Sequence, residues 1–169
     1  MSESVFIGIG GNIGDPRESI ERSLQALGAL ASGEIVTSSI WRSEAFKLKE
    51  EGPDFANAVA AFGCDLEPGD LLSHLQSLEV KFGRPADHAD QQSRTLDLDI
   101  IAFGQRKLVE TSLQIPHPRA FERLFVLLPL QEIDPEFRFV DREESLQQLI
   151  DSAPRMKVCL WDQSRDDLS

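Results

Sequence analysis

Apolar residues along the chain follow two spacings, one typical of strands and the other of helices. Val5–Ile9 is a short apolar run that suits a buried strand. Residues 35–41, 55–62 and 95–103 are rich in β-branched and aromatic side chains, which also predicts strands. Residues 42–53 and 83–93 are polar stretches between these elements, so we expect loops there.

Two helices are predicted between the strands. Asp15 is an acidic N-cap followed by proline at the first helical position and by Glu18 three residues after the cap. Apolar residues then recur at helical spacing up to an expected stop at Gly33, and a second helix with an apolar stripe opens at Pro68. The resulting order, strand-helix-strand-strand-helix-strand, is that of the ferredoxin-like sandwich. We therefore expect an α+β fold, with an antiparallel sheet and helices packed on one of its faces.

The remainder of the chain predicts a C-terminal extension of this sandwich. Leu108-Val109 is expected to return as a hairpin partner of the strand before it, and residues 119–128 as a third helix. A strand is expected over residues 137–140, a helix over 145–150 and a strand over 158–161. Because the sequence has neither an internal repeat nor a low-complexity linker, we expect residues 1–169 to form a single domain.

The composition narrows the classes of partner. The chain carries 17 Lys and Arg against 29 Asp and Glu, a formal net charge of −12. Such a balance disfavours nucleic acids and anionic membranes, so an anionic ligand needs local cations or a metal. Cys64 and Cys159 form no CxxC motif, no apolar run reaches a membrane span, and no basic leader opens the chain. We expect a cytoplasmic monomer that acts on small molecules.

Asp97 and Asp99 are the first candidates for chemistry. Residues i and i+2 of a strand point to one face, about 6.5 Å apart along the backbone, so the two carboxylates converge. A divalent cation or arginines would relieve their repulsion, and hard oxygen ligands favour Mg²⁺ shared with a phosphate. Arg84 and Arg94 precede the strand and suit a phosphate clamp. The alternatives are two acids facing water on an edge strand, or arginines that pair with the acids themselves.

A second constellation surrounds His117. Pro116 and Pro118 hold this histidine in a stiff segment, as suits a positioned donor, and Arg119 and Arg123 lie four residues apart. The alternative is a structural histidine with satisfied hydrogen bonds.

Two further segments suggest a binding site for a small molecule. Phe55 and Asn57 alternate onto one face of their strand, where a ring and an amide suit a flat heterocycle, although Phe55 also fits core packing. The glycine-rich residues 8–14 match neither GxGxxG nor Walker A, and are interpreted as a strand-to-helix connection.

Taken together, these motifs resemble the 6-hydroxymethyl-7,8-dihydropterin pyrophosphokinase family over residues 5–141. The most specific match is Arg94-Thr95-Leu96-Asp97-Leu98-Asp99-Ile100. Pro116-His117-Pro118-Arg119, residues 122–127, residues 9–15 and residues 54–58 match further family motifs in the same order.

The resemblance implies transfer of the diphosphate of ATP to the pterin hydroxymethyl group, with release of AMP, in folate biosynthesis. It implies that Asp97 and Asp99 hold two Mg²⁺ ions and that Phe55, Asn57 and Phe125 bind the pterin. It assigns catalytic roles to Arg84, Arg94, Asp97 and Asp99, and ATP binding to the following residues: Gln76, Glu79, Arg84, Arg94, Ile100, His117 and Arg123.

The sequence also departs from the family pattern. Residues 86–91 lack the basic residues and tryptophan common in that loop, Phe55 stands where tyrosine is common, and residues 43–46 lack a proline-rich turn. The leading hypothesis is therefore an ATP-dependent pyrophosphokinase, and the alternative is a diverged paralogue that binds pterin or nucleotide with little or no such activity. Another two-metal nucleotidyl transferase is a third hypothesis, which the acidic surface disfavours.

Overall fold

The structure is a computed structural model that describes residues 2–12, 15–44, 54–82, 96–140 and 142–161. Of the loops predicted at residues 42–53 and 83–93, residues 45–53 and 83–93 lie outside the described residues, whereas residues 42 and 43 belong to a strand. The described strands are β1 (Glu3–Gly11), β2 (Ile35–Thr37), β3 (Trp41–Ser43), β4 (Phe55–Cys64), β5 (Asp97–Phe103), β6 (Leu108–Val109), β7 (Gln114–Ile115) and β8 (Val158–Leu160). The described helices are α1 (Pro16–Gly28), α2 (Pro68–Lys81), α3 (Leu124–Ile133) and α4 (Leu146–Ser152), with a short 3₁₀ turn at Ala120–Glu122.

The main sheet is antiparallel and confirms the ferredoxin-like order. Its strands run β5-β1-β4-β3-β8, and β2 also pairs with β4. The segment predicted as one strand over residues 35–41 is therefore two short strands, β2 and β3. Between them Ser39 turns its backbone N–H to the carboxylate of Glu132 in α3, at 3.1 Å. This bond draws the chain away from β4 and interrupts the strand.

Helices cover both faces of the sheet. α1 and α2 pack over one face, on a core that includes Ile7, Leu75 and Leu98. α3 and α4 pack over the other face, on a second core that includes Ile101 and Leu127. The α+β class is confirmed, and the C-terminal extension supplies the second helical layer. No helix among the described residues combines the length and apolar character that crossing a membrane requires.

Several local predictions were wrong in their details. Leu108-Val109 pairs with β7 in a separate small sheet, and not with the strand before it. The expected helix over residues 119–128 breaks at Arg123, whose backbone is extended, so that a 3₁₀ turn precedes α3. Residues 137–140 form no strand: the Phe137 N–H donates to the Asp134 carbonyl at 3.0 Å and the Phe139 carbonyl accepts from the Arg142 N–H at 3.1 Å, so these backbone groups close local turns, while Phe137 and Phe139 pack in the second core. α1 ends at Gly28, and Gly33, with φ of 118°, makes a turn beyond it.

Candidate active site

A cleft of about 380 Å³ opens on the α3 side of the sheet. Its volume lies within the range of small-molecule sites. It gathers seven of the residues that the sequence singled out, from three separate parts of the chain: Phe55, Asn57, Asp97, Asp99, His117, Arg123 and Phe125. The two aspartates and the aromatic residues, which the resemblance assigns to one site, therefore line the same cleft.

The aspartate pair lies on the floor of the cleft, next to glycine residues that leave the adjoining surface free of side chains. Asp97 and Asp99 are half-buried and alternate with Leu98, which is buried under the helices. Across the ladder, Gly10 pairs with Asp97 and Gly8 pairs with Asp99. Both glycines line the cleft, and both lie within β1 and not in the strand-to-helix connection predicted over residues 8–14. A Cβ on Gly8 would come within 3.2 Å of the Ile101 side chain, so glycine here keeps the space beside the carboxylates open.

Cationic side chains face the aspartates across the cleft. The pKa of Arg123 is lowered by burial and by Arg119, and Asp99 and Asp97 oppose that shift. Arg119 also pairs with Glu122 at 3.1 Å. The arginines therefore bring positive charge close to the carboxylates, at a site that an anion can reach.

His117 is held as a neutral donor. Its backbone N–H donates to the Ile101 carbonyl at 3.0 Å, which anchors the segment after β7 to β5. The backbone N–H of Arg119 donates to His117 Nδ1 at 3.2 Å, so Nδ1 is unprotonated and the neutral ring carries its proton on Nε2. Burial, followed by the charge of Arg123, lowers the pKa of His117. The geometry and the electrostatics thus favour the same form, a neutral ring whose Nε2–H can donate.

The opposite end of the cleft combines aromatic rings with a buried amide. Phe55 at the start of β4 lines this end, and Phe125 in the first turn of α3 lines the cleft next to Arg123, whose guanidinium carbon lies 5.6 Å from the centroid of the Phe125 ring. Asn57 is 5% exposed, and its Nδ2 donates to Ser43 Oγ at 2.8 Å. That bond fixes the orientation of the amide, whose Oδ1 lies toward Gly10. This end can hold a flat ring and form hydrogen bonds with its edge.

Three predicted nucleotide-side residues lie away from the cleft lining. Gln76 is exposed on α2, and Ile100 is buried in the first core, on the sheet face opposite the aspartates. Glu79 is 4% exposed and accepts a hydrogen bond from the Leu98 backbone N–H at 3.0 Å. Arg84 and Arg94 lie outside the described residues. The roles of these five residues remain predictions.

Sequence reasoning missed several residues that line the cleft. Ser43 is the last residue of β3, Glu44 follows it, and Pro154 lies after α4. The alternation of Ser43 with Trp41 along one short strand was the available signal for its orientation. Pro154 had no local signal, since it lies between α4 and β8 and meets the other lining residues only in the folded chain.

The donor set at the floor fits a hard divalent cation. Magnesium in phosphate-transfer sites is commonly held by one or two carboxylates, with the remaining positions filled by water and substrate phosphate. Asp97 and Asp99 offer two carboxylates on one face, and the neighbouring glycines leave room for further ligands. Across the described ranges, no group of three or more His, Cys, Asp and Glu residues could hold a metal without such help.

The fold and the cleft together define the class of protein. It is an α+β sandwich whose cleft can bind a flat ring next to two carboxylates and cationic side chains. The profile of one family, 7,8-dihydro-6-hydroxymethylpterin-pyrophosphokinase (HPPK), matches residues 6–135. The chain belongs to this family.

Individual relatives agree with that assignment. The chain is 37% identical over 142 residues to a 2-amino-4-hydroxy-6-hydroxymethyldihydropteridine pyrophosphokinase of Pseudomonas aeruginosa, covering 83% of this chain and 86% of that protein. It is 39% identical over 132 residues to a protein of the same name from Synechocystis, covering 78% of this chain and 66% of that protein. A crystal structure of HPPK-DHPS from Plasmodium falciparum superposes with a TM-score of 0.68 at 12% identity, over 89% of this chain and 42% of the other, and supports the fold.

Proposed function

We propose that this chain transfers the diphosphate group of ATP to the hydroxymethyl group of 6-hydroxymethyl-7,8-dihydropterin, releasing AMP, as a step of folate biosynthesis. The observation that carries the proposal is the cleft that brings the Asp97–Asp99 pair and its neighbouring cations together with Phe55, Asn57 and Phe125. The name and coverage of the Pseudomonas aeruginosa relative support the same reaction.

At the aromatic end, the protein's contribution is binding and orientation. Phe55 and Phe125 would sandwich the pterin ring, and offset stacking of this kind stabilises a flat ligand in a defined plane. Asn57 would form hydrogen bonds with the pterin edge, since its amide is already fixed by Ser43. The ring would then present its hydroxymethyl group toward the aspartates.

At the anionic end, the protein's contribution is charge and alignment. Asp97 and Asp99 would hold two Mg²⁺ ions, which when bound neutralise the phosphate oxygens and lower the pKa of the attacking alcohol. Arg123 and the Nε2–H of His117 would contact phosphate oxygens from the other wall. Arg84 and Arg94 would add positive charge during transfer, and Gln76, Glu79 and Ile100 would bind the nucleotide.

We also propose that the protein acts in the cytoplasm as a monomer.

The test is AMP formation with purified protein, ATP, Mg²⁺ and 6-hydroxymethyl-7,8-dihydropterin. We expect AMP only when the pterin is present, and we expect Asp97→Asn to reduce kcat at least about a hundredfold, because it removes a charged oxygen ligand. Asp65→Asn is the matched control, since Asp65 is an exposed aspartate outside the cleft.

Two results would contradict the proposal. Full activity in Asp97→Asn would remove the aspartate pair from the mechanism. Absence of AMP with the wild-type chain, combined with tight binding of pterin or nucleotide, would favour the diverged binding protein.

A further inference from the structure

The C-terminal segment borders the cleft at one lining residue, although it lies beyond the residues that the family profile matches. β8 pairs with β3 in antiparallel register, with Trp41 opposite Leu160 and Ser43 opposite Val158. Pro154 at the beginning of this segment lines the cleft directly. The cleft is therefore bordered in part by a segment that is distant in sequence from its other lining residues.

Arg42 connects this segment to the body of the site. Its guanidinium carbon lies 3.8 Å from the centroid of the Trp161 ring, and its Nη2 donates to the Trp161 carbonyl at 3.3 Å. Its Nη1 lies 3.7 Å from Oδ2 of Asp54, with both side chains largely buried. The Trp161 backbone N–H in turn donates to the Ile40 carbonyl at 2.9 Å. Arg42, Asp54 and Trp161 thus form one group, which we call the Arg42 cluster.

The Arg42 cluster lies at the end of β3 and the start of β4, the two strands that carry Ser43, Phe55 and Asn57. Arg42 immediately precedes Ser43, and Asp54 immediately precedes Phe55. β3 has only three residues, so its ladder to β4 ends at the pair Ser43–Phe55. A ladder this short gives little rigidity of its own, and the cluster ties its open end across both strands and to β8.

We propose that Trp161, Arg42 and Asp54 are positioning residues that set the spacing of Ser43, Phe55 and Asn57, and so determine the affinity for the pterin. The proposal rests on the proposed function for the identity of the ligand. A guanidinium on an aromatic face, with little access to water, is held more strongly than one at an exposed site. Loss of the ring should therefore free Arg42 and loosen the wall beside Asn57.

The experiment compares Trp161→Ala, Trp161→Phe and Arg42→Ala with the wild type. Arg106→Ala is the matched control, because Arg106 also pairs with carboxylates, at Glu3 and Glu67, and lies near an aromatic ring, that of Phe103, outside this cleft. KM for pterin and KM for MgATP are measured separately. Hydrogen exchange of the backbone amides of residues 40–44 and 55–58 is measured without ligands.

We expect Trp161→Ala and Arg42→Ala to raise KM for pterin about tenfold or more, with KM for ATP within about twofold, since small displacements of positioning groups have large effects. Trp161→Phe should restore most of the affinity, because a ring again lies beneath Arg42. Exchange of residues 40–44 should accelerate in both alanine variants and stay unchanged in Arg106→Ala.

Equal changes in both KM values, or unchanged KM for pterin, would overturn the proposal. If the wild-type chain makes no AMP, the proposed function fails, and exchange then decides the positioning role alone. Faster exchange in Trp161→Ala and Arg42→Ala would support that role in such a case, and unchanged exchange would overturn it.

Discussion

Glu79 provides a test of how the aspartate pair is held in place. Among the described strands β5 lies at the edge of the main sheet, so none of them is placed to accept the Leu98 N–H that points away from β1. Glu79 reaches from the last turns of α2 and accepts this N–H at 3.0 Å in a buried position. Leu98 lies between Asp97 and Asp99, so this bond fixes the backbone that carries both carboxylates.

The cost of losing the bond follows from its burial. Glu79→Ala leaves a buried N–H without this acceptor, and such losses cost about 1–3 kcal/mol. With a urea dependence of about 1–3 kcal/mol per molar, the unfolding midpoint should fall by roughly 1 M. Glu79→Gln keeps an acceptor oxygen, so its loss should be smaller, about 1 kcal/mol.

The assay is urea denaturation followed by circular dichroism, with Glu67→Ala as the control. Glu67 is an exposed glutamate that pairs with Arg106 on the surface, so its removal should cost about 0–1 kcal/mol. A loss below about 0.5 kcal/mol in Glu79→Ala would refute the reasoning. The same variant separates this role from ATP binding, because a direct nucleotide contact would raise KM for ATP in Glu79→Gln without a matching loss of stability.

Two further predictions concern the floor and the wall of the cleft. Gly10→Ala should leave the fold intact, because its Cβ would lie 3.4 Å from Asn57 Oδ1, but it should weaken ligand binding about tenfold by filling the strip beside Asp97. Calorimetric titration with the pterin checks this, and unchanged affinity would contradict it. The folded protein lowers the pKa of His117, so the unfolded chain binds a proton at this residue more readily than the folded chain does. The contribution of His117 to the free energy of unfolding is therefore complete above about pH 6.5 and is lost as the pH falls below that value. His117→Gln should therefore lose less stability than the wild type between about pH 7 and pH 5 in urea denaturation, and parallel curves would disprove the assignment.

The sequence predicted the sandwich because its signals are local. The cap at Asp15 and the proline at Pro68 mark the helix starts observed at Pro16 and Pro68, and the side chain of Asp15 accepts the Glu18 N–H as expected. The Asp97-Leu98-Asp99 alternation placed both carboxylates on one face, and both line the cleft. The spacing of apolar residues and the capping of helices depend on residues that are close together in the sequence, so they can be recognised before the fold is known.

The remaining features depend on contacts between distant residues. The break between β2 and β3 follows from Glu132, which also accepts the Trp41 indole N–H at 2.9 Å, some 90 positions away. The turn of Phe137 and Phe139 into the second core depends on the ring of Phe6, 4.8 Å from Phe137. The position of Pro154 depends on the packing of the C-terminal segment, in which α4 contacts α3 and β8 pairs with β3. None of these pairings leaves a periodic trace in the sequence.

The charges lining the cleft show why metal ions belong in the proposed mechanism. Among the described residues that line it, Glu44, Asp97, Asp99 and Glu122 are acidic, while Arg119 and Arg123 are the arginines. The described lining is therefore negative on balance, in a chain whose overall charge is −12. A triphosphate would meet repulsion here, at separations below the screening length of about 8 Å at physiological salt. Two divalent cations on the aspartates would make the net charge of that lining positive. The proposed metal ions thus serve attraction as well as alignment, and the acidic surface and an anionic substrate become compatible.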